Sequence, residues 1–307
     1  MKIGITGGAG FIGSNLANFL ANQGHKVKVL DNLSNGKINN LEIAQIEFID
    51  SNILDKETLE KFFADVEYLV HLAALGSVPR SINYPLEVFH VNVVGTLNVL
   101  ELARKYNIPI LFSSSSSVYG SNLKIPKSEL DWLSPLSPYA SSKMSCEAMV
   151  SAWATSYKID ASIIRLFNVF GPNQRWESEY AAVIPKWCSK IIKGEEIQIY
   201  GDGNQLRDFT YIKDVVEIIS IIINEKRSFG GTLNLAFNNQ VSLNCLINEL
   251  ASINSNVKHT YMPARAGDIS NSLSDGVLIK KIFPEVRPNS FRSSLNATYK
   301  WIENNLD

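Results

Sequence analysis

The chain has 307 residues, of which 45% are hydrophobic and 19% charged, and its formal net charge is −1. This balance is typical of a folded globular protein and excludes an intrinsically disordered chain. A near-neutral charge also excludes a global field that would attract nucleic acid or an anionic membrane, so we expect neither as a partner.

Targeting and metal-binding signals are not found in the sequence. The first residues read directly as a strand with no signal peptide, and the apolar stretches look too short to span a bilayer. Three separated cysteines form no CxxC pair, and four histidines show no metal-ligand spacing, so His25 and His71 are interpreted as structural. We therefore expect reduced cysteines, no metal and a cytoplasmic location.

Taken in chain order, the first half alternates short strands with helices, and each strand run is followed by a helical pattern or a turn. The predicted strands are "MKIGIT", "KVKVLD", "IEFI", "EYLVHL", "IPILFS" and "DASIIRLF". The predicted helices are "FIGSNLANFLANQG", about 56–63, about 85–106 and "SPYASSKMSCEAMVSAWATSY". This alternation predicts an α/β fold, a Rossmann-type doubly wound parallel sheet.

After about residue 169 the pattern loosens into short strands, shorter helices and loops rich in Asn, Gly and Ser. It predicts a smaller C-terminal α+β substrate domain. We assign 1–168 plus about 206–231 to the first, Rossmann-type domain, and about 169–205 plus 232–307 to the second.

The stretch "ITGGAGFIGS" follows the first strand and opens the first helix. Gly8, Gly10 and Gly13 fit G-x-G-x-x-G, and Gly7 adds a glycine at the turn. Such glycines let the backbone approach a pyrophosphate at a helix N-terminus. Asp31 ends the second strand, where a carboxylate accepts bonds from ribose hydroxyls and repels a 2′-phosphate. The motif therefore predicts NAD rather than NADP; the alternative is that Asp31 merely begins a turn.

Five serines in "FSSSSSVYG" would usually indicate a linker. Here an apolar strand precedes them and a turn follows, so they are predicted to lie at the carboxyl end of a core strand, where such sheets bind ligands. Downstream, Tyr139 and Lys143 are four residues apart on a predicted helix. A lysine and a bound nicotinamide cation both favour a phenolate, so Ser, Tyr and Lys predict proton transfer coupled to hydride transfer. Alone, the Tyr–Lys pair would be an ordinary exposed pair.

Taken together, the motifs resemble those of the extended short-chain dehydrogenase/reductases, specifically nucleotide-sugar 4-epimerases. The stretches that carry the resemblance are "GGAGFIGSNL", "HLAALGSVPRSINYP", "SSSSSVYG", "SPYASSK", "RLFNVFGP", "YAAVIPKW" and "YGDGNQLRDFTYI". Two of them, "AALGSVPRS" and "YAAVIPKW", resemble most those of bacterial UDP-N-acetylglucosamine 4-epimerases.

The resemblance implies roles at named positions. Tyr139 would be the catalytic base, tuned by Lys143, Ser115 would be the catalytic serine, and its neighbour Ser116 would face the sugar. The implied NAD-binding set is Gly7, Gly10, Phe11, Ile12, Gly13, Asp31, Asn32, Asn35, Asn52, Ile53, Leu72, Ala73, Ala74, Asn92, Ser113, Tyr139, Lys143 and Phe167. Asn52 departs from the family, in which many members carry Asp.

For the UDP-sugar, the resemblance implies contacts from both domains. The implied set is Gly76, Ser77, Ser115, Tyr139, Asn168, Val183, Tyr200, Arg207, Arg265, Asp268 and Ser272. The two arginines would bind the diphosphate, since guanidinium groups suit phosphate. Two roles are left open for Tyr200: its ring packs either on the uracil or in the core of the protein. Ser272 occupies the position at which a tyrosine would restrict the site to glucose and galactose, so the resemblance implies a pocket residue there. The alternative is that Ser272 is simply a loop residue.

The resemblance also constrains the reaction. Family 4,6-dehydratases usually carry Asp-Glu at the positions of Ser116 and Ser117, and decarboxylases carry Glu at Ser117. Without these carboxylates we expect NAD-dependent C4 epimerisation of UDP-GlcNAc/UDP-GalNAc through a 4-keto sugar. The alternatives are a UDP-glucose/UDP-galactose 4-epimerase and an NAD-sensing regulatory protein. Family members pair the helices at about 85–106 and 138–157 across a two-fold axis, which implies a homodimer.

Overall fold

The computed structural model describes residues 1–177, 181–227, 229–264 and 271–306. Within these ranges the chain forms two compact units. The first comprises 1–122, 131–166 and 216–233, and the second 123–130, 167–215 and 234–307.

The first unit is built on a sheet of seven strands in the order β11-β6-β5-β4-β1-β2-β3. The strands are β1 (Lys2–Thr6), β2 (Lys26–Asp31), β3 (Ile46–Asp50), β4 (Tyr68–His71), β5 (Ile110–Ser115), β6 (Ala161–Leu166) and β11 (Thr232–Leu235). The pairs β1–β2, β1–β4, β2–β3, β4–β5 and β5–β6 are parallel. The predicted doubly wound α/β fold is therefore confirmed. The order reverses between β1 and β4, and the carboxyl ends of strands at such a reversal are where these sheets bind ligands.

The helices of the first unit follow the predicted alternation. They are α1 (Phe11–Asn22), α2 (Lys56–Phe63), α3 (Val78–Asn83), α4 (Pro85–Phe89), α5 (Gly95–Tyr106) and α6 (Pro138–Tyr157). The start of α6 is fixed by local chemistry: Ser137 Oγ accepts a hydrogen bond from the amide of Ala140, and proline occupies the first helical position. Its end is fixed by Lys158, which has a left-handed backbone.

The single helix predicted over 85–106 is interrupted. Between α4 and α5, residues His90–Val94 form a π-helical turn that contains Asn92. The continuous run Pro85–Tyr106 is, by length and composition, long and apolar enough to cross a membrane. The expectation that every apolar stretch is too short to span a bilayer was therefore wrong for this run. The cause is that α4, the π turn and α5 join into one run, whose side chains Val99, Leu100 and Ala103 lie in the core of the first unit.

The second unit contains β7 (Val169–Phe170), α7 (Val183–Ile192), β8 (Ile197–Tyr200), β9 (Leu206–Asp208), β10 (Thr210–Tyr211), β12 (Gln240–Ser242), α9 (Leu243–Ile253), β13 (His259–Met262), α10 (Val277–Ile282) and α11 (Phe291–Asn305). Helix α8 (Ile212–Asn224) begins in this unit and ends in the first. The strands form three two-stranded ladders, β10-β7, β12-β9 and β13-β8.

The unit boundaries differ from the predicted ones by more than two residues at two places. Residues 206–215, predicted in the first domain, lie in the second unit because β9 pairs with β12 and β10 with β7. The segment 123–130 also lies in the second unit, since the amide of Lys127 donates a 2.8 Å bond to the carbonyl of Leu273.

Candidate active site

The glycine-rich turn between β1 and α1 leaves no room for side chains. Gly7 has a φ of +72°, and a Cβ there would lie 2.6 Å from the amide nitrogen of Ala73, which follows β4. At Gly13 a Cβ would lie 2.3 Å from the carbonyl oxygen of Gly7. Gly10 caps α1 through its backbone alone, with no side-chain cap bond in the described structure, so the start of this helix is open to an anion.

Asp31 closes the other side of the turn, at the carboxyl end of β2. Its carboxylate accepts hydrogen bonds from the amides of Ala9 (3.0 Å) and Leu33 (2.8 Å). Burial raises the pKa of this carboxyl, and the bonds from the Leu33, Ala9 and Gly10 amides lower it in part. The carboxylate therefore lies beside the glycine turn, where it can meet an adenosine ribose.

The other predicted cofactor residues of the first unit are grouped at the ends of the same strands. Phe11 and Ile12 are the first residues of α1, Asn32 and Asn35 are exposed after β2, and Leu72, Ala73 and Ala74 follow β4. Asn52 uses its side-chain oxygen to accept a 3.0 Å bond from the amide of Leu54, and Ile53 is buried against Gly95. Phe167 is fully buried in the second unit.

Asn92 is buried in the π-helical turn, a deviation that often occurs at functional sites. Its side chain accepts a 2.8 Å bond from the amide of Leu75 and donates a 2.9 Å bond to Ser142 Oγ on α6. It thus ties the loop after β4 to the helix that carries Tyr139 and Lys143. Gly76 and Ser77 continue that loop, and Ser77 caps α3 by accepting a bond from the amide of Arg80.

The serine run ends β5 and starts a 3₁₀ turn, Ser116–Tyr119, so it is not a linker. Ser115 caps that turn, and its Oγ accepts bonds from the amide (3.2 Å) and hydroxyl (3.0 Å) of Ser117. The side chain of Ser115 interacts with the phenol of Tyr139 and lowers its pKa. Lys143 Nζ donates a 2.8 Å bond to the carbonyl oxygen of Ser113.

The electrostatics of these groups are set mainly by burial. Burial raises the pKa of Tyr139, and the bond with Ser115 opposes that rise. Burial lowers the pKa of Lys143 to about 8, against the raising effect of the Cys146 and Glu147 charges. Near pH 7 the phenol is thus protonated, and a nearby positive charge is what it needs to act as a base.

The comparisons with known proteins agree with this geometry. The model of the NAD dependent epimerase/dehydratase family matches residues 3–236. The chain belongs to that family. Its glycine turn and Asp31 fit the NAD that the family requires, because the turn has no room for a Cβ and the start of α1 is uncapped by side chains.

Relatives of this chain within the family carry out more than one reaction. A putative UDP-glucose 4-epimerase of Methanocaldococcus jannaschii is 35% identical over 98% of both chains. A UDP-N-acetyl-α-D-glucosaminuronate decarboxylase of Bacillus cytotoxicus is 32% identical over 97% of this chain and 96% of its own. The solved UDP-N-acetylglucosamine 4-epimerase of Methanobrevibacter ruminantium M1, in complex with UDP-N-acetylmuramic acid, is 38% identical with a TM-score of 0.93, covering 99% of both chains.

In the second unit, the structure brings Arg207 and Ser272 together. The two residues form a backbone bridge: the amide of Ser272 donates a 3.0 Å bond to the carbonyl of Leu206, and the carbonyl of Ser272 accepts a 2.9 Å bond from the amide of Asp208. Asn168 lies on the same side of this ladder, since its side chain donates a 3.2 Å bond to the carbonyl of Asp208. Arg207, which lies in the short strand β9, is thus flanked by two further predicted substrate residues, Asn168 and Ser272.

The remaining predicted residues are spread over the second unit. Val183 is the first residue of α7, and Tyr200 ends β8 with its hydroxyl on Gln198. Tyr200 is only partly buried, so it is not a core residue. Arg265 and Asp268 lie outside the described residues.

Two features of the site went unnoticed in the sequence. Asp208 is fully buried, and its carboxylate accepts bonds from the amides of Asn238 (2.9 Å), Asn239 (2.9 Å) and Ser274 (3.2 Å). Its position in "RDF", beside Arg207, was the available signal. The second feature is a buried ion pair between Glu147 and Arg165 below the serine strand end. Glu147 follows Lys143 by one helical turn, which placed it on the same face of α6.

Proposed function

We propose that this protein epimerises C4 of a UDP-hexose through a transient 4-keto sugar. The observation that carries the proposal is the bond from Lys143 Nζ to the carbonyl of Ser113, which holds the lysine at the strand end whose Ser115 side chain interacts with Tyr139. This arrangement can remove and return a proton on one sugar hydroxyl, which is what reversible oxidation at C4 needs.

Each residue has one task in this scheme. Tyr139 takes the proton of the O4 hydroxyl, and Ser115 holds that oxygen by a second hydrogen bond. Lys143 supplies positive charge near the phenol and favours the phenolate. A bound NAD⁺ would supply reversible hydride acceptance at C4, so that the sugar undergoes no net oxidation.

Plain epimerisation is favoured over elimination or decarboxylation by the residues after Ser115. Ser116 and Ser117 are neutral, whereas the resembling dehydratases and decarboxylases use carboxylates there. Ser117 binds the oxygen of Ser115 instead. Decarboxylation is the second candidate reaction, because a decarboxylase is among the relatives. This alternative predicts that the protein releases CO₂ from UDP-hexuronates.

N-acetylated sugars are favoured by the side chain beside Arg207. Arg207 carries the charge that suits a diphosphate, and Ser272, its backbone neighbour, is small. If Ser272 faces the C2 substituent, as the resemblance implies, the site has volume for an acetamido group. The similar epimerase bound to UDP-N-acetylmuramic acid, which carries such a group, supports this.

The test is a panel of UDP-glucose, UDP-galactose, UDP-GlcNAc and UDP-GalNAc, with the products resolved by NMR. Interconversion of the N-acetyl pair supports the proposal. Turnover of UDP-glucose and UDP-galactose alone favours the alternative epimerase. NAD binding without any turnover favours an NAD-sensing protein. We also propose that the enzyme acts in the cytoplasm as a homodimer.

A further inference from the structure

Three buried side chains link the strand end that carries Ser115 to the helix that carries Tyr139. Arg165 on β6 donates from Nε to Glu147 Oε1 (2.9 Å) and from Nη2 to Glu147 Oε2 (2.7 Å). Its Nη1 donates to the hydroxyl of Tyr119 (2.8 Å). These residues are 4%, 5% and 1% exposed, respectively.

The three residues come from three different elements. Arg165 pairs in register with Ser114 of β5, directly before Ser115. Tyr119 ends the 3₁₀ turn that Ser115 caps. Glu147 lies on α6, one turn after Lys143. One guanidinium therefore fixes the turn after the candidate catalytic serine and the helix of the candidate base at the same time.

Such a group is costly unless every donor is satisfied. A buried guanidinium that loses one acceptor retains an unpaired N–H away from water. Its bidentate bond with Glu147 also fixes orientation, which a lysine could not do. Apolar side chains could fill the same space, so packing alone does not explain charged groups here. Their directional hydrogen bonds indicate that they fix the positions of the elements they join.

We propose that Tyr119, Glu147 and Arg165 form a positioning cluster that holds Ser115 and Tyr139 at hydrogen-bonding distance for catalysis. The cluster acts through the elements that carry Ser115, Tyr139 and Lys143. The inference rests on the proposed epimerase activity.

The sharpest variant is Tyr119→Phe, which removes one hydroxyl and keeps the ring. Tyr68→Phe is the matched control, because Tyr68 is also buried in the sheet of the first unit, on β4. We expect Tyr119→Phe to lower kcat about tenfold, since small displacements of reacting groups are costly, while KM and bound NAD stay within about twofold. Tyr68→Phe should leave kcat unchanged.

The pH profile separates positioning from general structural damage. The bond with Ser115 lowers the pKa of Tyr139, against burial and the charge of Cys146. Weakening that bond should move the acidic limb of kcat to higher pH in Tyr119→Phe. Glu147→Gln is the second variant, and it should move the same limb in the same direction because it releases Arg165 and removes the carboxylate charge that raises the pKa of Lys143.

Two outcomes would refute the positioning role of the cluster. In the first, Tyr119→Phe has the same kcat and the same pH profile as the wild type. In the second, its loss of kcat is accompanied by equal losses of bound NAD and of unfolding temperature. If the wild type turns over no UDP-sugar, the proposed function fails by itself. The cluster is then tested by ultraviolet titration of the Tyr139 phenol in NAD-loaded protein, with Tyr139→Phe as the blank. Tyr119→Phe should raise that pKa and Tyr68→Phe should not; an unmoved pKa refutes the cluster.

Discussion

Lys143 Nζ lies 2.8 Å from the carbonyl oxygen of Ser113, so the lysine is anchored to the strand that ends in Ser115. The ammonium also lies 4.9 Å from the ring centre of Phe112 on the same strand. The ammonium of Lys143 is therefore positioned by β5 as well as by α6, the helix that carries it. The candidate base Tyr139 and Lys143, both on α6, thus lie against the strand end that carries Ser115.

Replacing the base should abolish the reaction while leaving cofactor binding intact. We expect Tyr139→Phe to lower kcat by about 10²–10⁴, the usual contribution of a positioned acid–base group. NAD content should not change, since the glycine turn and Asp31 are untouched. Tyr157→Phe, at the exposed end of the same helix, is the control. Near wild-type turnover of Tyr139→Phe would refute the mechanism.

Cofactor binding should depend on the lack of a side chain at Gly7. A Cβ there would lie 2.6 Å from the amide nitrogen of Ala73, in addition to the strain of a left-handed backbone. We expect Gly7→Ala to weaken NAD binding by at least about tenfold, measured by titration calorimetry. Gly24→Ala is the matched control, because Gly24 also has a positive φ, +86°, but a Cβ added there would meet open space. Equal NAD affinity of the two variants would contradict the assignment.

The sequence predicted the elements that depend on local signals. The glycine turn, the start of α6 at Pro138 and the strand end at Ser115 each follow from residues within a few positions of one another. The role of Asp208 could not be predicted in this way, since its partners Asn238, Asn239 and Ser274 are thirty or more residues away. The assignment of 123–130 to the second unit has the same cause, a pairing with Leu273 that no local pattern reveals.

Asp208 should make the stability of the protein depend on pH. Burial raises its pKa from 3.8 to about 6, although three or more backbone amides lower it in part. Between these values the folded protein binds more protons than the unfolded chain, so this group's contribution to stability falls as the pH rises from about 4 to 6. The full change corresponds to about 3 kcal/mol. Urea unfolding of wild type and Asp208→Asn at several pH values should show that the free energy of unfolding falls more steeply with rising pH in the wild type. Parallel plots of this free energy against pH would exclude the effect.

Two helices should pair with a second copy of the chain. Val94 in the π-helical turn and Tyr157 at the end of α6 are exposed, although both helices bury apolar faces in their own unit. We expect light scattering to give twice the 34.1 kDa of one chain. Val94→Arg should produce a monomer, and Ile43→Arg, at an exposed position before β3, should not. A wild-type mass of one chain at micromolar concentration would contradict the dimer.

The choice of sugar should depend on the volume at Ser272. Because this residue is bridged to Arg207 through the backbone, a larger side chain at this position would stay beside the candidate diphosphate site and could not move away with a loop. Ser272→Tyr should therefore lower kcat/KM for UDP-GlcNAc by about 10²-fold, as expected when a bulky group meets an added substituent, and leave UDP-glucose within about threefold.

The control for this prediction is Ser252→Tyr, the same substitution at an exposed serine of α9 in the same unit. It should leave kcat/KM for both sugars unchanged. A loss on both sugars in Ser272→Tyr would mean that the backbone bridge to Arg207 was disturbed, since Arg207 as the candidate diphosphate ligand would serve every UDP-sugar alike. Equal activity of Ser272→Tyr on both sugars would place Ser272 outside the pocket. UDP-glucose/UDP-galactose epimerisation would then be the better assignment if the wild type also fails to convert UDP-GlcNAc.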